Sequence, residues 1–320
     1  MLKILINNVR FVNPTSLIKL LKRISKYNIE IWGTDSESRE LNACSNFLDH
    51  YLICPKMFEK EKYLDFIIEL NHNIKFDIII PGSDLDVQFY SKNKEKFDAK
   101  VIIPEQKAVK LFYDKYLASL EMQKRGFLIP PIVENFFDEK KIIFRQKISS
   151  SSSGIYICDL NNDQYIPNYF NNKYFAQQYI YGEEYTVDVF SDNKGNPKLI
   201  LPRKRLKIKN GMSISCQICN NTKIIDTCKK IYSEFYIPGL SNVQFIVNKN
   251  KVYFIELNMR FAGSGISGVA ASFNYLELYI EHFLFGKELE SLEYYMSNVA
   301  WNSIISRYYE ESIYFPESNN

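Results

Sequence analysis

The sequence predicts an α/β domain with a parallel sheet, followed by two α+β lobes. Two observations support this fold class: apolar strand segments alternate with helical patterns at the start of the chain, and strand-rich segments joined by short polar turns follow. The 320 residues, 46% hydrophobic and 15% aromatic, are enough for a sizeable ordered core. We predict the α/β domain over 1–110, the lobes over 111–180 and 181–286, and a Tyr-rich helical tail over 287–320.

The first domain alternates strands with helices along the chain. We predict strands at KILINN, IEIWGTD, FDIIIPG and KVIIP, and helices over 16–27, 63–70 and 84–97. This order indicates βαβ units and a parallel sheet covered by helices on both faces. The loops GTDSES and PGSDLD then lie at the carboxyl edge, where such sheets bind ligands. The loop after the first strand has no glycine, which argues against a dinucleotide site in this domain.

A run of five serines, Ser149 to Ser153, lies between two apolar strands in IIFRQKISSSSSGIYIC. A flexible linker is the simplest interpretation of such a run. However, the run joins two strands closely instead of separating domains, and Arg145 and Lys147 precede it. Small residues with backbone N–H groups and hydroxyls, next to cations, are what a loop over phosphates requires. The sequence therefore favours phosphate binding here.

Two polar residues end the second strand of a predicted β-hairpin, formed by NVQFIV and VYFIEL. Glu256 and Asn258 point to the same face, because residues i and i+2 of a strand do so. If the hairpin pairs in register, Gln244 joins them. One carboxylate and two amide oxygens suit Mg²⁺, and Arg260 adds a planar set of donors that matches phosphate. The alternative is a solvated polar strand end.

A glycine motif, G-x-G-x-x-G at Gly263, Gly265 and Gly268, directly follows this strand. We expect it to open a helix that runs to about Phe285. As a dinucleotide fingerprint it lacks an early βαβ unit and an acidic strand end about 20 residues further on. Its backbone N–H groups instead suit a substrate anion at a helix start. The predicted substrate contacts are Gly263, Ser264, Gly265, Arg203, Arg205 and Arg260; for the arginines of LPRKRLKIKNG, a solvated basic strand end is the alternative.

Charge and composition argue against several classes of function. The net charge of +3 arises from 40 basic and 37 acidic residues scattered along the chain, so no basic stripe indicates nucleic-acid binding. No run approaches the roughly 18 apolar residues of a membrane span, and a cytoplasmic location is expected. Six cysteines show no disulfide spacing, and the CxxC at Cys216 and Cys219 lacks a second pair of metal ligands. The three histidines lie far apart, which argues against histidine-based catalysis.

In their order along the chain, four segments resemble the ATP-grasp superfamily, most closely its carbamoyl-phosphate-synthetase-like branch, over roughly 1–285. They are YDKYLASLEMQKRGFLIPP, RQKISSSSSGI, AQQYIYGEEYTVDVF and VQFIVNKNKVYFIELNMRFAGSG. The resemblance implies a two-lobed fold that binds ATP and Mg²⁺ after a preceding α/β domain. It implies phosphate contacts from Lys115, Arg145, Lys147, Arg260, Ser150, Ser151, Ser152 and Gly154, of which the first two and Arg260 would be catalytic. It also implies adenine contacts from Gln178, Tyr179 and Ile180, a ribose contact from Glu184, and metal ligands at Gln244, Glu256 and Asn258.

Several departures from the family pattern accompany this resemblance. Arg145 stands where most members have lysine, and Gln146 replaces the usual proline. The loop has serines where glycines are common. Gln178 and Gln244 stand where acidic residues are frequent, so Glu256 is the one ionised metal ligand. A site with less negative charge is expected to bind its metal more weakly.

The resemblance implies an ATP-dependent carboxylate–amine ligase. ATP would phosphorylate a small carboxylate, for example an amino acid, and an amine or another nucleophile would attack the acyl phosphate. Expected partners are therefore the small carboxylate and the amine, without nucleic acid or membrane, and a second copy of the chain is a candidate partner in a homodimer. Alternatives are a regulatory module that binds nucleotide without turnover, a kinase-like relative for a small carboxylate or carbamate, and an NAD(P)-dependent enzyme that uses GSGISG.

Overall fold

The computed structural model describes residues 1–134, 141–149, 154–160, 173–209, 211–308 and 310–315. Within these ranges the chain forms a five-stranded parallel sheet, a three-stranded antiparallel sheet and a six-stranded antiparallel sheet. The predicted fold class is confirmed, because a parallel α/β domain comes first and two lobes with antiparallel sheets follow. Among the described residues, no helix combines the length and the apolar composition needed to span a bilayer.

The first domain contains the parallel sheet and its helices. In chain order its elements are β1 (Leu2–Asn7), α1 (Val12–Leu21), β2 (Ile29–Asp35), β3 (His50–Ile53), α2 (Lys60–Ile74), β4 (Ile78–Ile80), α3 (Asp84–Asn93) and β5 (Lys100–Val101). The strands lie side by side in the order β3-β2-β1-β4-β5. Two predictions need correction. The predicted strands do not include β3, an edge strand of only four residues. Helix α1 starts before the predicted range 16–27 and ends inside it.

The loops after β1 and β4 meet at the carboxyl edge of this sheet, because β1 has β2 on one side and β4 on the other. In open α/β sheets such a reversal of strand order forms the ligand-binding crevice. Gly82 lies in the loop after β4, and a Cβ atom there would be 2.6 Å from the carbonyl oxygen of Asn7. Only glycine allows this approach, so the loop PGSD is held close to β1.

A buried carboxylate fixes the start of α3. Asp86 accepts hydrogen bonds from the backbone N–H groups of Gly82 (3.2 Å) and Ser83 (2.9 Å) and from the Ser83 hydroxyl (2.8 Å). The side-chain amide of Asn8 donates to its other oxygen at 2.5 Å. Ser83 and Asp86 thereby form a capping box. Burial raises the pKa of Asp86 to about 6, although the hydrogen bonds oppose this shift.

We expect Asp86 to make the free energy of unfolding fall as the pH rises through 6. Its pKa of about 6 in the folded chain lies above the ordinary value of 3.8, so between these values the folded chain binds more protons than the unfolded chain. The stabilisation is complete below pH 3.8 and is lost as the pH rises through 6. Urea unfolding should show wild type losing at most about 3 kcal/mol relative to Asp86→Asn over this range. A difference that does not change with pH would contradict the prediction.

The second sheet is the centre of a small lobe. Helices α4 (Gln106–Tyr113) and α5 (Lys115–Lys124) precede its strands β6 (Lys141–Gln146), β7 (Ile155–Asp159) and β8 (Tyr174–Gln178), with β6 in the middle. Ile142 and Phe144 of β6 belong to the apolar core of this lobe. The alternate residues Ile143 and Arg145 point to the other face. The two apolar strands predicted on either side of the serine run are therefore present, and the structure pairs them antiparallel.

The buried apolar residues of α4 and α5 pack on the third sheet, while the Tyr116 ring of α5 also lies 5.4 Å from the Phe175 ring of β8 in the second sheet. Val109, Phe112 and Met122 belong to the same apolar cluster as Val187 and Phe254. The small-lobe boundaries of 111–180 stay a prediction; the described apolar core of this sheet lies between residues 133 and 176. An amphipathic pattern identifies the buried face of a helix but not the sheet that this face covers.

The third sheet forms the large lobe. Its strands are β9 (Glu183–Ser191), β10 (Pro197–Lys209), β11 (Met212–Ile218), β12 (Gly239–Asn248), β13 (Lys251–Asn258) and β14 (Ile304–Ser306), in the spatial order β13-β12-β9-β10-β11-β14. Its helices are α6 (Thr222–Glu234), α7 (Gly265–Ala270), α8 (Tyr275–Phe285) and α9 (Leu292–Ser297). The predicted helical tail needs correction, because β14 pairs with β11 and thus adds a strand to this sheet.

The first domain and the large lobe share one apolar core. Leu21 of α1 belongs to the same cluster of buried residues as Leu276 of α8. Beside this contact the carboxylate of Glu281, only 2% exposed, pairs with Lys26 of the first domain and with Lys287. The two parts are therefore joined both by a continuous core and by ion pairs.

Candidate functional site

The hairpin β12–β13 brings the three predicted metal ligands together. Its register places Gln244 opposite Glu256, and Asn242 opposite Asn258. The side-chain nitrogen Nδ2 of Asn258 donates to Glu256 Oε1 and to Asn242 Oδ1, both at 3.2 Å. Asn242 is a supporting residue that the sequence analysis does not identify. Its position two residues before Gln244, on the same face of the strand, is the signal that could have revealed it.

Two cations from other elements approach the Glu256 carboxylate. Lys115 Nζ, at the start of α5, lies 3.8 Å from Glu256 Oε2, and Arg145 Nη2, on β6, lies 3.6 Å from the same oxygen. Lys115 Nζ also donates to the carbonyl oxygen of Ser149 at 2.6 Å. The structure therefore brings two of the predicted phosphate contacts to the predicted metal ligands.

Arg145 connects the two lobes although only 4% of it is exposed. Its Nη1 donates to Gln177 Oε1 at 3.3 Å and to the carbonyl oxygen of Ile255 at 3.2 Å. Burial lowers the pKa of Arg145, and the Glu256 carboxylate opposes this shift. Burial lowers the pKa of Lys115 in the same way. Both cations are thus held away from bulk water. Their attraction for phosphate oxygens is stronger in this environment than it would be in water.

The oxygens at this strand end fit a magnesium ion. Mg²⁺ usually takes one or two protein ligands and completes its shell with phosphate and water. Glu256 supplies a carboxylate, and Asn258 makes both of its hydrogen bonds through Nδ2, so its oxygen can turn to a cation. Within the described ranges, no group of three or more His, Cys, Asp and Glu side chains offers another metal site. The donors therefore suit a cation that arrives with a nucleotide.

The serine loop lies outside the described residues, and with it the predicted phosphate contacts Ser150, Ser151 and Ser152. Its two ends are joined by a hydrogen bond of 3.0 Å from the Gln146 N–H to the Gly154 carbonyl. Gly154 has a φ of 71°, and a Cβ atom there would lie 2.6 Å from Gln146 Oε1, so this position requires glycine. Lys147 Nζ, predicted to contact phosphate, lies 4.9 Å from the centre of the Tyr116 ring.

The predicted adenine contacts lie at the end of β8, where the small lobe leads into the large lobe. Gln178, Tyr179 and Ile180 are half-buried there. The Gln178 N–H donates to the carbonyl oxygen of Pro131 at 2.8 Å, which fixes the end of the strand. The three residues are therefore held at the edge of the cleft between the lobes.

An apolar wall that the sequence analysis does not identify lies on the same face of the small-lobe sheet as Arg145. Ile143 pairs with Ile157, and Arg145 pairs with Ile155. Ile155 is 39% exposed and Ile157 is 50% exposed, which is high for isoleucine. The apolar residues of the two strands indicate that such a face exists. Which face of the sheet remains exposed depends on how the sheet packs, and the sequence does not show this.

Glu184, the predicted ribose contact, lies on β9 beside Arg205 on β10. Arg205 Nη1 is 3.0 Å from Glu184 Oε2, and Arg205 Nη2 donates to the carbonyl oxygen of Gly211 at 2.5 Å. The side chain of Glu184 is 47% exposed and so remains accessible to a ligand. The substrate contact at Arg205 stays a prediction; its guanidinium lies beside Glu184, the predicted ribose contact.

Arg203 is fully buried, so it does not contact a substrate as predicted. Its Nε and Nη2 donate to the two carboxylate oxygens of Asp188 at 2.7 Å each, and its Nη1 donates to the hydroxyl of Ser264 at 2.8 Å. Burial alone would lower the pKa of Arg203, but the Asp188 charge outweighs it and raises the pKa. A buried charge requires such a partner. Arg203 therefore holds Ser264, and with it the glycine loop, from inside the lobe.

The glycine motif does not open the long helix predicted for it. It opens α7, which has 6 residues, and the helix that ends at Phe285 begins only at Tyr275. The Gly265 N–H donates to the carbonyl oxygen of Ala262 at 2.9 Å, so it is not available to the predicted anion. A Cβ atom at Gly265 would lie 2.6 Å from the ring of Phe261. The preceding strand is antiparallel to its neighbour, which disagrees with the βαβ geometry of a dinucleotide fingerprint.

Gly263 faces the first domain. Its carbonyl oxygen accepts hydrogen bonds from Arg307 Nη1 at 3.2 Å and from Ser16 Oγ at 3.4 Å. A Cβ atom at this position would lie 2.3 Å from Asn13 Oδ1, so the loop approaches the first domain closely. The substrate contact proposed for Gly263 stays a prediction, now placed where the large lobe meets the crevice of the parallel sheet.

Arg260 is held by a carboxylate of the first domain. Its Nε and Nη2 donate to the two oxygens of Asp84 at 2.8 and 2.7 Å, and its Nη1 donates to the carbonyl oxygen of Phe261 at 3.2 Å. Burial acts to lower the pKa of Arg260, but Asp84 outweighs it and raises the pKa. Asp84 lines the same cavity as Lys115 and Glu256. The sequence analysis misses this pair because its members lie 176 residues apart.

The chain is similar in sequence to a protein family and to another protein. Residues 171–302 match a family described as ATP-grasp in the biosynthetic pathway with Ter operon. Over 309 residues the chain is 21% identical to an uncharacterized protein of Methanocaldococcus jannaschii, an alignment that covers 91% of this chain and 77% of that protein.

Three solved structures are similar over almost the whole chain. Biotin carboxylase of Campylobacter jejuni, in complex with β,γ-ATP, superimposes with a TM-score of 0.70 at 18% identity and covers 94% of this chain and 74% of its own. N5-carboxyaminoimidazole ribonucleotide synthetase of Thermotoga maritima superimposes with a TM-score of 0.67 at 14% identity, and the match covers 95% of this chain and 80% of the synthetase. The L-amino acid ligase of Bacillus licheniformis superimposes with a TM-score of 0.68 at 14% identity, and the match covers 93% of this chain and 77% of the ligase. At identities this low, the structural similarity shows a shared fold and nothing more.

Proposed function

We propose that the chain is an ATP-grasp enzyme that uses ATP to activate a small carboxylate as an acyl phosphate for attack by an amine. Its match to the ATP-grasp family supports the proposal, as does its shared fold with a biotin carboxylase, a ribonucleotide synthetase and an amino acid ligase. The reaction would release ADP and phosphate and form an amide. The partners of the protein would thus be two small molecules besides ATP.

The observation that carries this proposal is the arrangement around Glu256. One carboxylate and the amides of Gln244 and Asn258 share one strand end, and the cations Lys115 and Arg145 lie 3.8 and 3.6 Å from the carboxylate. Oxygen donors for a divalent cation next to buried cations are what a triphosphate requires. An ordinary solvated strand end would have neither the buried cations nor the contact between lobes.

Glu256, Asn258 and Gln244 would hold Mg²⁺ in this site. When bound, the ion supplies positive charge to the β- and γ-phosphate oxygens. Lys115 and Arg145, both near Glu256 Oε2, add further positive charge, and Arg145 also joins the small lobe to the carbonyl oxygen of Ile255. The contribution of these side chains is therefore electrostatic stabilisation and positioning.

The proposed reaction has two steps. A carboxylate oxygen of the substrate attacks the γ-phosphorus of ATP, and the bond from this phosphorus to the β–γ bridging oxygen breaks, so that ADP leaves. The amine nitrogen then attacks the acyl carbon, the acyl–oxygen bond breaks, and phosphate leaves with an oxygen from the carboxylate, while the amine loses a proton to water. Lys115 and Arg145 would stabilise the charge on the transferred group, so no side-chain nucleophile is required.

The nucleotide would lie in the cleft between the lobes. The isoleucines Ile143, Ile155 and Ile157 provide an apolar wall for a flat ring, and the backbone at Gln178 and Ile180 would bind the edge of the adenine. The carboxylate of Glu184 would then accept hydrogen bonds from the ribose hydroxyls. This placement puts the phosphates toward Arg145, which is on the same face of the sheet as the apolar wall.

Replacing Glu184 with alanine should raise the KM for ATP about tenfold and change kcat by less than about twofold. The ribose contact is present in both the ground state and the transition state, so its loss weakens binding without slowing the chemical step. Steady-state kinetics with varied ATP measures both constants. Glu183→Ala is the matched control, since Glu183 neighbours Glu184 but pairs with Lys204. A Glu184→Ala protein that lost kcat at unchanged KM would contradict the assignment.

The experiment that tests the function is ADP release from Mg·ATP in the presence of pooled amino acids, small carboxylates and amines. We expect ADP only when both an acid and an amine are present. Once an acid is found, its carboxylate is labelled with ¹⁸O, and the label is expected in the released phosphate, since the acyl–oxygen bond breaks in the second step.

Other outcomes distinguish the alternatives. ADP release with the acid alone, without free phosphate, would indicate a carboxylate kinase. Binding of ATP without ADP release in any pool would indicate a regulatory module. Unlabelled phosphate from a labelled acid would overturn the acyl phosphate mechanism.

A further inference from the structure

The ion pair between Asp84 and Arg260 joins the first domain to the strand that carries the proposed metal ligands. It is a side-on pair with two parallel hydrogen bonds of 2.8 and 2.7 Å, and the two side chains are only 21% and 13% exposed. Such bidentate geometry fixes both the place and the plane of a guanidinium. Arg260 follows Asn258 by two residues, so its orientation bears directly on the proposed metal site.

Arg260 keeps donors for another anion. A guanidinium has five N–H groups. Among the described residues, Asp84 accepts from two of those of Arg260, and the Phe261 carbonyl oxygen accepts from a third. The remaining N–H groups belong to Nη1 and Nη2. The ion pair with Asp84 therefore does not use all the donors of Arg260. The remaining N–H groups lie in the plane of the guanidinium and can bind phosphate or carboxylate oxygens.

Asp84 is itself held rigidly. It occupies the first position of α3, directly after the capping residue Ser83, and the buried Asp86 carboxylate binds Ser83 and the preceding Gly82. Gly82 lies against the loop after β1, too close for any side chain. The carboxylate that orients Arg260 is thus built on a helix start that is fixed from several sides.

We propose that Asp84 is a positioning residue for the reaction: it holds the Arg260 guanidinium so that its remaining N–H groups are fixed for the phosphoryl group that is transferred. This inference rests on the proposed function. It also gives the first domain a direct part in the chemistry, because the carboxyl edge of the parallel sheet sets the orientation of a residue of the large lobe.

The competing explanation is that Asp84 only balances the charge of Arg260. The two explanations predict opposite effects of Asp84→Asn on anion binding. The substitution makes the site more positive by one charge, so a pure charge balance predicts tighter anion binding. Asparagine has one acceptor oxygen and cannot take both hydrogen bonds, so loss of positioning predicts weaker binding.

Binding of inorganic phosphate to the protein saturated with Mg·ADP tests the proposal without turnover. Calorimetry is expected to show about tenfold weaker phosphate binding for Asp84→Asn than for wild type. Asp84→Glu, which keeps a bidentate acceptor, should recover most of this affinity. The control is Asp65→Asn on α2, an exposed aspartate of the same domain, which makes the same change in charge and should leave phosphate binding unchanged. Tighter or unchanged binding for Asp84→Asn, or wild type without phosphate binding, would overturn the proposal.

Kinetics with the acceptor found by ADP release provide a second measurement. Asp84→Asn should lower kcat about tenfold while the KM for ATP changes less than about twofold, since only the transferred group is misaligned. In an Arg260→Lys background, lysine cannot use the side-on geometry, so Asp84→Asn should have almost no further effect. Equal effects of Asp84→Asn in both backgrounds would show that Asp84 does not act through Arg260. If no acceptor supports ADP release, the proposed function fails, and phosphate binding still decides the role of Asp84.

Discussion

Replacing Glu256 with glutamine is expected to lower Mg²⁺-dependent ADP formation more than about 100-fold, because outer-shell partners of metal ligands alone are worth about 10–100-fold. Glu256 is the one carboxylate among the proposed ligands, so the substitution removes the ionised donor of the site. Steady-state ADP release at saturating Mg²⁺ measures the effect. A Glu256→Gln protein that formed ADP at the wild-type rate would exclude this metal assignment.

The same substitution should cost stability while the fold remains. Arg145 and Lys115 lose the anion that lies 3.6 and 3.8 Å away, and we expect the free energy of unfolding to fall by about 1–3 kcal/mol. Urea unfolding measures this loss. Glu69→Gln, an exposed position on α2, is the matched control and should change neither activity nor stability. The activities of wild type and Glu256→Gln are then compared without urea, at a temperature where both proteins are folded.

Replacing Arg145 with methionine is expected to lower kcat about 100–1000-fold, the range for loss of one group that stabilises charge in a buried site. Methionine can fill the space between Gln177 and Ile255, but it carries no charge and donates no hydrogen bond. Arg145→Lys should fall between wild type and Arg145→Met, because it keeps the charge but cannot make the same set of contacts.

The control for Arg145 is Arg23→Met, which removes an exposed arginine from the first domain. Pre-steady-state measurement of ADP formation should show that the chemical step itself is slowed. A kcat for Arg145→Met within about threefold of wild type would mean that Arg145 joins the lobes but does not act on phosphate.

The sequence predicts that the three proposed metal ligands lie together, because they are close along the chain. Gln244, Glu256 and Asn258 lie on two strands joined by a short turn, and the period of two in a strand decides which side chains share a face. The parallel sheet is predictable for the same reason: each βαβ unit is a run of neighbouring residues with its own apolar pattern. The resemblance to the ATP-grasp superfamily, built on these local motifs, is confirmed by the family match and the shared fold.

The roles of the arginines could not be predicted, because they depend on distant partners. Arg203 and Arg205 stand two residues apart in one strand and look alike in the sequence, yet Arg203 is buried against Asp188 while Arg205 lies beside Glu184. Asp84 meets Arg260 across 176 residues. No periodicity relates such pairs, since they form only when the sheets have packed together.

The helix after the glycine motif shows a second limit of sequence patterns. Apolar spacing continues from α7 to α8, but the chain leaves helical structure between Ala270 and Tyr275. The glycines of α7 are closely packed: Gly265 approaches the ring of Phe261, and Gly268 approaches the carboxylate of Asp188, where a Cβ atom would lie 2.5 Å away. The glycines therefore serve close packing around a buried ion pair, a role that a phosphate-binding motif does not reveal.

The division of the apolar core determines which part of the molecule can move during a catalytic cycle. The first domain is continuous with the large lobe through Leu21 and Leu276, whereas the small-lobe sheet has a separate core around Phe144. Because motions tend to follow the boundaries between such cores, we expect the small lobe to be the part that moves when the cleft opens and closes. Arg145 travels with that lobe and Glu256 does not. Each opening would therefore take the cation away from the triphosphate, and the rate at which the lobe reopens would set how fast ADP escapes.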